Sequence, residues 1–274
     1  GNATISLNSA PLDISNTLAT ELFHHKDSVI LTSATLSTEG SFDYFKSRVG
    51  VGSDSEELLV GSPFDYQKAA LLLIPEDMPP PNSDRYVDAM VKVLTDLGTT
   101  MKGRTMALFT SYASLRAVAQ RLRAPLMGED VQVLAQSIDG SAQQLMTRFS
   151  EEPNSVLLGT ASFWEGVDMP PGLLKALVLT RLPFQVPTDP IVKARSDQYE
   201  SPFSQYSVPQ AVLRFRQGFG RLIRNKEDTG TIVIMDNRIT AKNYGNSFLK
   251  SIPPCTLKPS SLMTVGQLAA QWNA

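Results

Sequence analysis

Gln217, Arg221 and Arg224 lie within eight residues, QGFGRLIR (217–224), and are of the types that grip phosphate. A guanidinium is planar, always charged, and donates two parallel N–H bonds to phosphate oxygens. Placed at about 100° per residue on a helix that opens at Pro209, the three fall on one face with Arg214 close by. Val212, Phe215, Phe219 and Leu222 fall opposite, so the spacing predicts an amphipathic helix over 209–223 packed on a sheet. Two arginines about one turn apart can hold a triphosphate, but the same spacing also describes a solvated face with ordinary surface arginines. Gly218 and Gly220 each weaken a helix by about 1 kcal/mol relative to alanine. Gly220, beside Arg221, is the expected point where another surface comes close.

Three hydroxyl-rich stretches form a second set of candidates: TSATLS (32–37), TSYAS (110–114) and GTASFWEGVDMP (159–170). Each follows an apolar run, and their hydroxyls and backbone N–H groups suit the phosphates of a nucleotide or a nucleic-acid backbone. The plainer use of Ser111 or Ser114 is to cap the helix that follows.

The elements that position these residues are legible as a rhythm. Apolar runs at 29–33, 71–74, 105–111, 131–135, 155–160, 175–182 and 231–236 read as strands buried on both faces. Helical patterns at 86–97, 114–122, 142–149 and 209–223 separate most of them. The alternation predicts an α/β fold with a doubly wound, mostly parallel sheet, whose ligands bind beyond the carboxyl ends of the strands. GVGSDSEELLVGSP (50–63) and PEDMPPPNS (75–83) are surface loops by composition, and 184–208 is an excursion over the ligand-binding edge.

At 274 residues, with 42% hydrophobic residues and a formal charge of −2, the chain suits a globular domain whose nucleic-acid contacts are confined to a groove. Residues 1–10 read as a tag remnant or linker and 11–274 as one domain. The single cysteine, Cys255, excludes a disulfide framework, a Cys-rich zinc site and an iron–sulfur cluster held within this chain. No apolar run or leader indicates a membrane, so the expected location is cytoplasmic, in association with DNA.

TSATLS, ALFTSY (107–112), GTASFWEGVDMPP and QGFGRLIR stand in the order and spacing of helicase motifs III, IV, V and VI. With SPFDY (62–66), RLPFQVPTDP (181–190) and DNRI (236–239), the chain resembles the DinG-type superfamily 2 DNA helicases, relatives of the XPD group. The sequence contains neither a G-x-x-x-x-G-K-[ST] loop nor a DEAH-like run. In DinG-type enzymes these lie on a first RecA-like domain, so the resemblance implies that this chain is the second RecA-like domain.

The same resemblance implies ATP and Mg²⁺ held mainly by that first domain, with Arg221 and Arg224 as arginine fingers and Gln217 sensing the γ-phosphate. It places Glu165, Asp168 and Gly220 near the nucleotide, although Asp168 is equally placed to cap the turn at 169–171. Thr110, Ser111, Tyr112, Thr160 and Ser162 are expected along single-stranded DNA, with Trp164 a candidate for stacking on a base and Phe163 for packing. Thr32, Ser33 and Thr35 are assigned to coupling ATP state to DNA contact. The implied activity is 5′-to-3′ DNA unwinding in repair or replication. A stand-alone single-strand-binding module and an RNA helicase domain are the alternatives.

Overall fold

A computed structural model of the chain describes residues 9–33, 35–38, 40–164 and 169–274. Along the chain run α1 (Ser15–Glu21), a 3₁₀ turn, α2 (Asp43–Val49), α3 (Tyr66–Ala69), β1 (Ala70–Pro75), α4 (Arg85–Thr100), β2 (Thr105–Leu108) and α5 (Tyr112–Met127). These are followed by β3 (Gln132–Ala135), α6 (Ala142–Glu151), β4 (Ser155–Gly159), α7 (Ala161–Trp164), β5 (Ala176–Leu179) and α8 (Pro190–Ser196). After a π-helical turn come α9 (Val208–Phe219), β6 (Gly230–Ile234), α10 (Arg238–Ala241), α11 (Gly245–Ser251), β7 (Thr256–Ser260) and α12 (Val265–Asn273).

The chain divides into two compact units, whereas the sequence was read as one domain from residue 11. The smaller combines the described residues up to Val60 with Phe184–Leu213, so the excursion after β5 folds with the N-terminal segment. Within it Arg195 donates to the carbonyls of Leu12 and Pro11, and Gln210 donates to the Tyr44 hydroxyl at 2.6 Å. Burial pushes the Tyr44 phenol up to about 12.

The larger unit, Gly61–Pro183 with Arg214–Ala274, carries the sheet, of order β3-β4-β2-β5-β6-β1-β7 and parallel at every pairing. β1, β2, β4, β5 and β6 are buried at every position, as continuous apolar runs in a doubly covered parallel sheet should be. Leu71, Leu73, Ala107, Val156, Leu158, Val178 and Val233 share a core cluster with Met90, Val93, Leu94 and Leu97 of α4 and Leu115, Val118 and Leu122 of α5. The strand period of two and the helix period of 3.6 meet there.

Two strand expectations change. Residues 29–33 form no strand, and Val29, Ile30 and Leu31 are 40%, 87% and 42% exposed in the smaller unit. β7 was not expected, because TLKPS is not an apolar run; it is an edge strand, where Pro259 is tolerated.

The helix of QGFGRLIR also ends earlier than its pattern. α9 stops at Phe219, yet Leu222 and Ile223 stay buried in the turn that follows, which is why the apolar periodicity overran the helix. The close approach is at Gly218 rather than Gly220. A Cβ on Gly218 would lie 2.7 Å from the Trp164 ring, whereas one on exposed Gly220 meets nothing nearer than 3.5 Å. Gly218→Ala therefore overpacks a closed contact and is expected to lower unfolding free energy by about 1–3 kcal/mol. Gly220→Ala should be near neutral, and urea denaturation of the two variants checks the contrast.

Candidate nucleotide and nucleic-acid site

The carboxyl ends of β3, β4 and β2, neighbours in the sheet, bring three loops together. After β2, Thr110, Ser111 and Tyr112 are exposed, and the Ser111 hydroxyl accepts the Ser114 N–H at 3.2 Å, capping α5. After β4, Thr160 is buried while Ser162 is exposed. Phe163 is fully buried as expected of a packing residue. Trp164 corrects the stacking expectation: it is 4% exposed, donates its indole N–H to the Phe109 carbonyl and lies on Gly218, so it presents no face to a base.

Between these loops sits a residue absent from the sequence-based set. Gln136, directly after β3 and 6% exposed, accepts the Thr160 backbone N–H at 2.7 Å and the Thr160 hydroxyl at 2.9 Å on Oε1. Its Nε2 donates to Ser162 Oγ at 2.7 Å and Tyr112 Oη at 3.3 Å. One amide thus joins the hydroxyls of motifs IV and V.

The arginines converge on the same loop from beyond α9. Arg221 donates from Nη2 to the Trp164 carbonyl at 2.9 Å, and Arg224 from Nη1 to the Met169 carbonyl at 2.7 Å. Those two carbonyls flank residues 165–168, so both guanidiniums are directed at the ends of one short segment. Glu165 and Asp168 lie in that segment, outside the described residues. Gln217, in the last turn of α9, has a buried Oε1 with no hydrogen-bond partner among the described residues, while Gly220 is exposed just past the helix end.

Asp228, also missed from sequence, holds this arrangement together. Buried to 6% exposure, it accepts the Gly172 N–H at 2.9 Å on Oδ1 and the Arg224 and Asn225 N–H groups at 2.8 and 3.1 Å on Oδ2. One carboxylate therefore joins the end of the motif V loop to the backbone that carries Arg224. An Asp four residues past an arginine, before a strand, is only a weak sequence signal, since the partner at Gly172 is set by tertiary structure.

RLPF and DNRI form a neighbouring cluster at the ends of β5 and β6. Fully buried Asp236 accepts the Leu182 N–H at 2.9 Å and both Nε and Nη2 of Arg238 at 2.9 and 2.6 Å. The Tyr86 hydroxyl lies against the carbonyls of Thr180 and Met235, and burial, with the Asp236 charge adding, raises its phenol above the ordinary range.

Thr32, Ser33 and Thr35 belong to the smaller unit rather than to the sheet. There the Thr35 N–H donates to Ser33 Oγ at 3.2 Å and Thr32 and Ser33 are exposed. The hydroxyl-rich loops carried by the sheet edge are therefore two, those of motifs IV and V.

A parallel α/β sheet with motif loops at its carboxyl edge and two arginines past a covering helix defines the class: a RecA-like domain. The solved XPD helicase structure shares this fold, with a TM-score of 0.66 and 17% identity over 90% of this chain and 45% of that one. The chain belongs to the helicase C-terminal domain family, whose model matches residues 94–255. It is 36% identical over 251 residues to the ATP-dependent DNA helicase YoaA of Haemophilus influenzae, covering 90% of this chain and 38% of that protein. It is 36% identical over 282 residues to the 3′-5′ exonuclease DinG of Bacillus subtilis, covering 97% of this chain and 29% of that protein. The chain thus spans between 29% and 38% of the length of these two relatives. Among the described residues no helix is long and apolar enough to cross a membrane.

Proposed function

We propose that this chain is the second half of an ATP-driven DNA helicase motor, completing a nucleotide site on a preceding RecA-like domain and gripping single-stranded DNA with its own sheet edge. The observation that carries the reading is the convergence of Arg221 and Arg224 on the two ends of the motif V loop, with Gln217 in the last turn of the helix that precedes them. Two guanidiniums directed at one short loop favour a polyanion, and the Gln217 amide, one turn before Arg221, carries N–H donors suited to a phosphate oxygen. These residues therefore fit a triphosphate, with ATP and its Mg²⁺ anchored on the preceding domain. Bound there, ATP supplies the phosphoryl group whose hydrolysis drives the motor. Arg221 and Arg224 neutralise negative charge on the phosphates, and Gln217 senses the γ-phosphate. Without a phosphate loop or acidic metal-binding run of its own, the chain hydrolyses no ATP alone.

Ile30, in the apolar run at 29–33, is 87% exposed, and Leu58 and Val60, in the loop at 50–63, are 82% and 74% exposed. Cover for these residues is what a preceding domain provides. The names of the relatives favour DNA over RNA as the strand, and repair or replication, with 5′-to-3′ movement, follows from the DinG-type resemblance.

On this reading the chain binds a single-stranded oligodeoxynucleotide, weakly because its net charge is −2, and more weakly as salt rises. Fluorescence anisotropy across a salt series measures this. An absence of binding at the lowest salt would contradict the reading.

A further inference from the structure

We infer that Gln136 is a positioning residue that sets the hydrogen-bond polarity of the DNA-facing hydroxyls, turning Ser162 and Tyr112 into outward donors for phosphodiester oxygens while holding Thr160 as part of the frame. The inference rests on the proposed contact of motifs IV and V with single-stranded DNA.

The Thr160 backbone N–H can only donate, so the Gln136 atom 2.7 Å away must be the acceptor Oε1. That orients the amide, and Nε2, which can only donate, therefore faces Ser162 Oγ and Tyr112 Oη. Both hydroxyls act as acceptors inward, so each keeps its own proton. Among the described residues neither makes another hydrogen bond, Ser162 is exposed and Tyr112 is 41% exposed. Their protons point to the solvent side, where an anionic acceptor is the complementary partner.

Thr160 is the converse case. Its N–H and its hydroxyl both converge on Oε1, the latter at 2.9 Å, and it is 4% exposed, so neither donor is left for a phosphate. Two lone pairs and two N–H bonds of one buried amide are thus all used, and each bond tightens the others by polarisation. A phosphate oxygen drawing on the Ser162 proton strengthens the bond from Nε2 behind it.

The test uses anisotropy with a fluorescein-labelled oligothymidylate on the chain, with thermal unfolding recorded for every variant. Gln136→Met removes the anchor and should weaken binding by about tenfold. Gln136→Glu keeps the length but makes every position an acceptor, pulling both protons inward beside a new negative charge, and should weaken binding further. Combining Gln136→Met with Ser162→Ala and Tyr112→Phe should bind no worse than the Ser162→Ala/Tyr112→Phe pair, a coupling that a purely structural role would not produce. Wild-type affinity in that pair would mean the hydroxyls do not touch DNA and the underlying reading fails. A weakened pair beside unweakened Gln136→Met would overturn the role of Gln136 alone. A measurement on the unaltered chain stands whether or not the variants fold: the Gln136 side-chain amide, in a ¹⁵N-glutamine-labelled sample, should shift when the oligonucleotide is added, and an unmoved resonance would refute the polarised chain.

Discussion

Arg221→Ala and Arg224→Ala, each introduced into the chain joined to its preceding half, are expected to reduce ATP hydrolysis by about 10³-fold or more. An arginine supplied across an interface to a transferring phosphoryl group contributes about 10³–10⁵ in rate, because it meets charge spread over the equatorial oxygens. Both arginines also hold carbonyls, Arg221 at Trp164 and Arg224 at Met169, so alanine releases the motif V loop as well. Lysine variants separate the two contributions: they retain the charge but lose the planar fork. Steady-state hydrolysis and thermal unfolding, measured together, show whether activity is lost with the fold intact. Full hydrolysis in both alanine variants would remove the finger assignment.

Asp228→Ala gives the second large effect, although Asp228 touches no phosphate in this account. Its removal leaves the N–H groups of Gly172, Arg224 and Asn225 without their acceptor. Unmade bonds of this kind cost about 1–3 kcal/mol each where the group stays buried. Because these amides are only part-buried and water reaches some of them, the expected loss is about 3 kcal/mol in total. The functional loss is larger than a remote stability defect would give. The backbone of Arg224 is no longer held to the motif V loop, and a displacement of about 1 Å in a positioned group can cost about 10²-fold in rate. Asp228→Asn keeps one acceptor oxygen and loses the other, so it can satisfy Gly172 or Arg224 but not both. Hydrolysis by the joined halves should fall in the order wild type, asparagine, alanine. Equal hydrolysis in all three would show that the carboxylate is only structural.

The sheet was readable because its strands are buried on both faces, and burial on both faces writes itself as an unbroken apolar run: LLLI, MAL, SVLLG, ALVL and TIVI all fall in strands. The same signal misled at VILTS, since an apolar run reports that a segment suits burial without naming the surface that buries it. Edge strand β7, with a lysine and a proline in TLKPS, carries no such signal. In QGFGRLIR the two glycines were legible as a demand for space, but which glycine was crowded depended on Trp164, 54 positions earlier in the chain. Gln136 and Asp228 were invisible for a related reason. Their partners are backbone N–H groups and hydroxyls brought near by the strand order β3-β4-β2 and by the turn after α9, and no local spacing encodes that.

The most direct test of the split motor is ATP hydrolysis measured for this chain, for its preceding half, and for the two joined, each with and without single-stranded DNA. The account predicts turnover in the joined protein, stimulated by DNA, and negligible turnover in either half. DNA-stimulated hydrolysis by this chain alone, or a joined protein no faster than its first half, would contradict it.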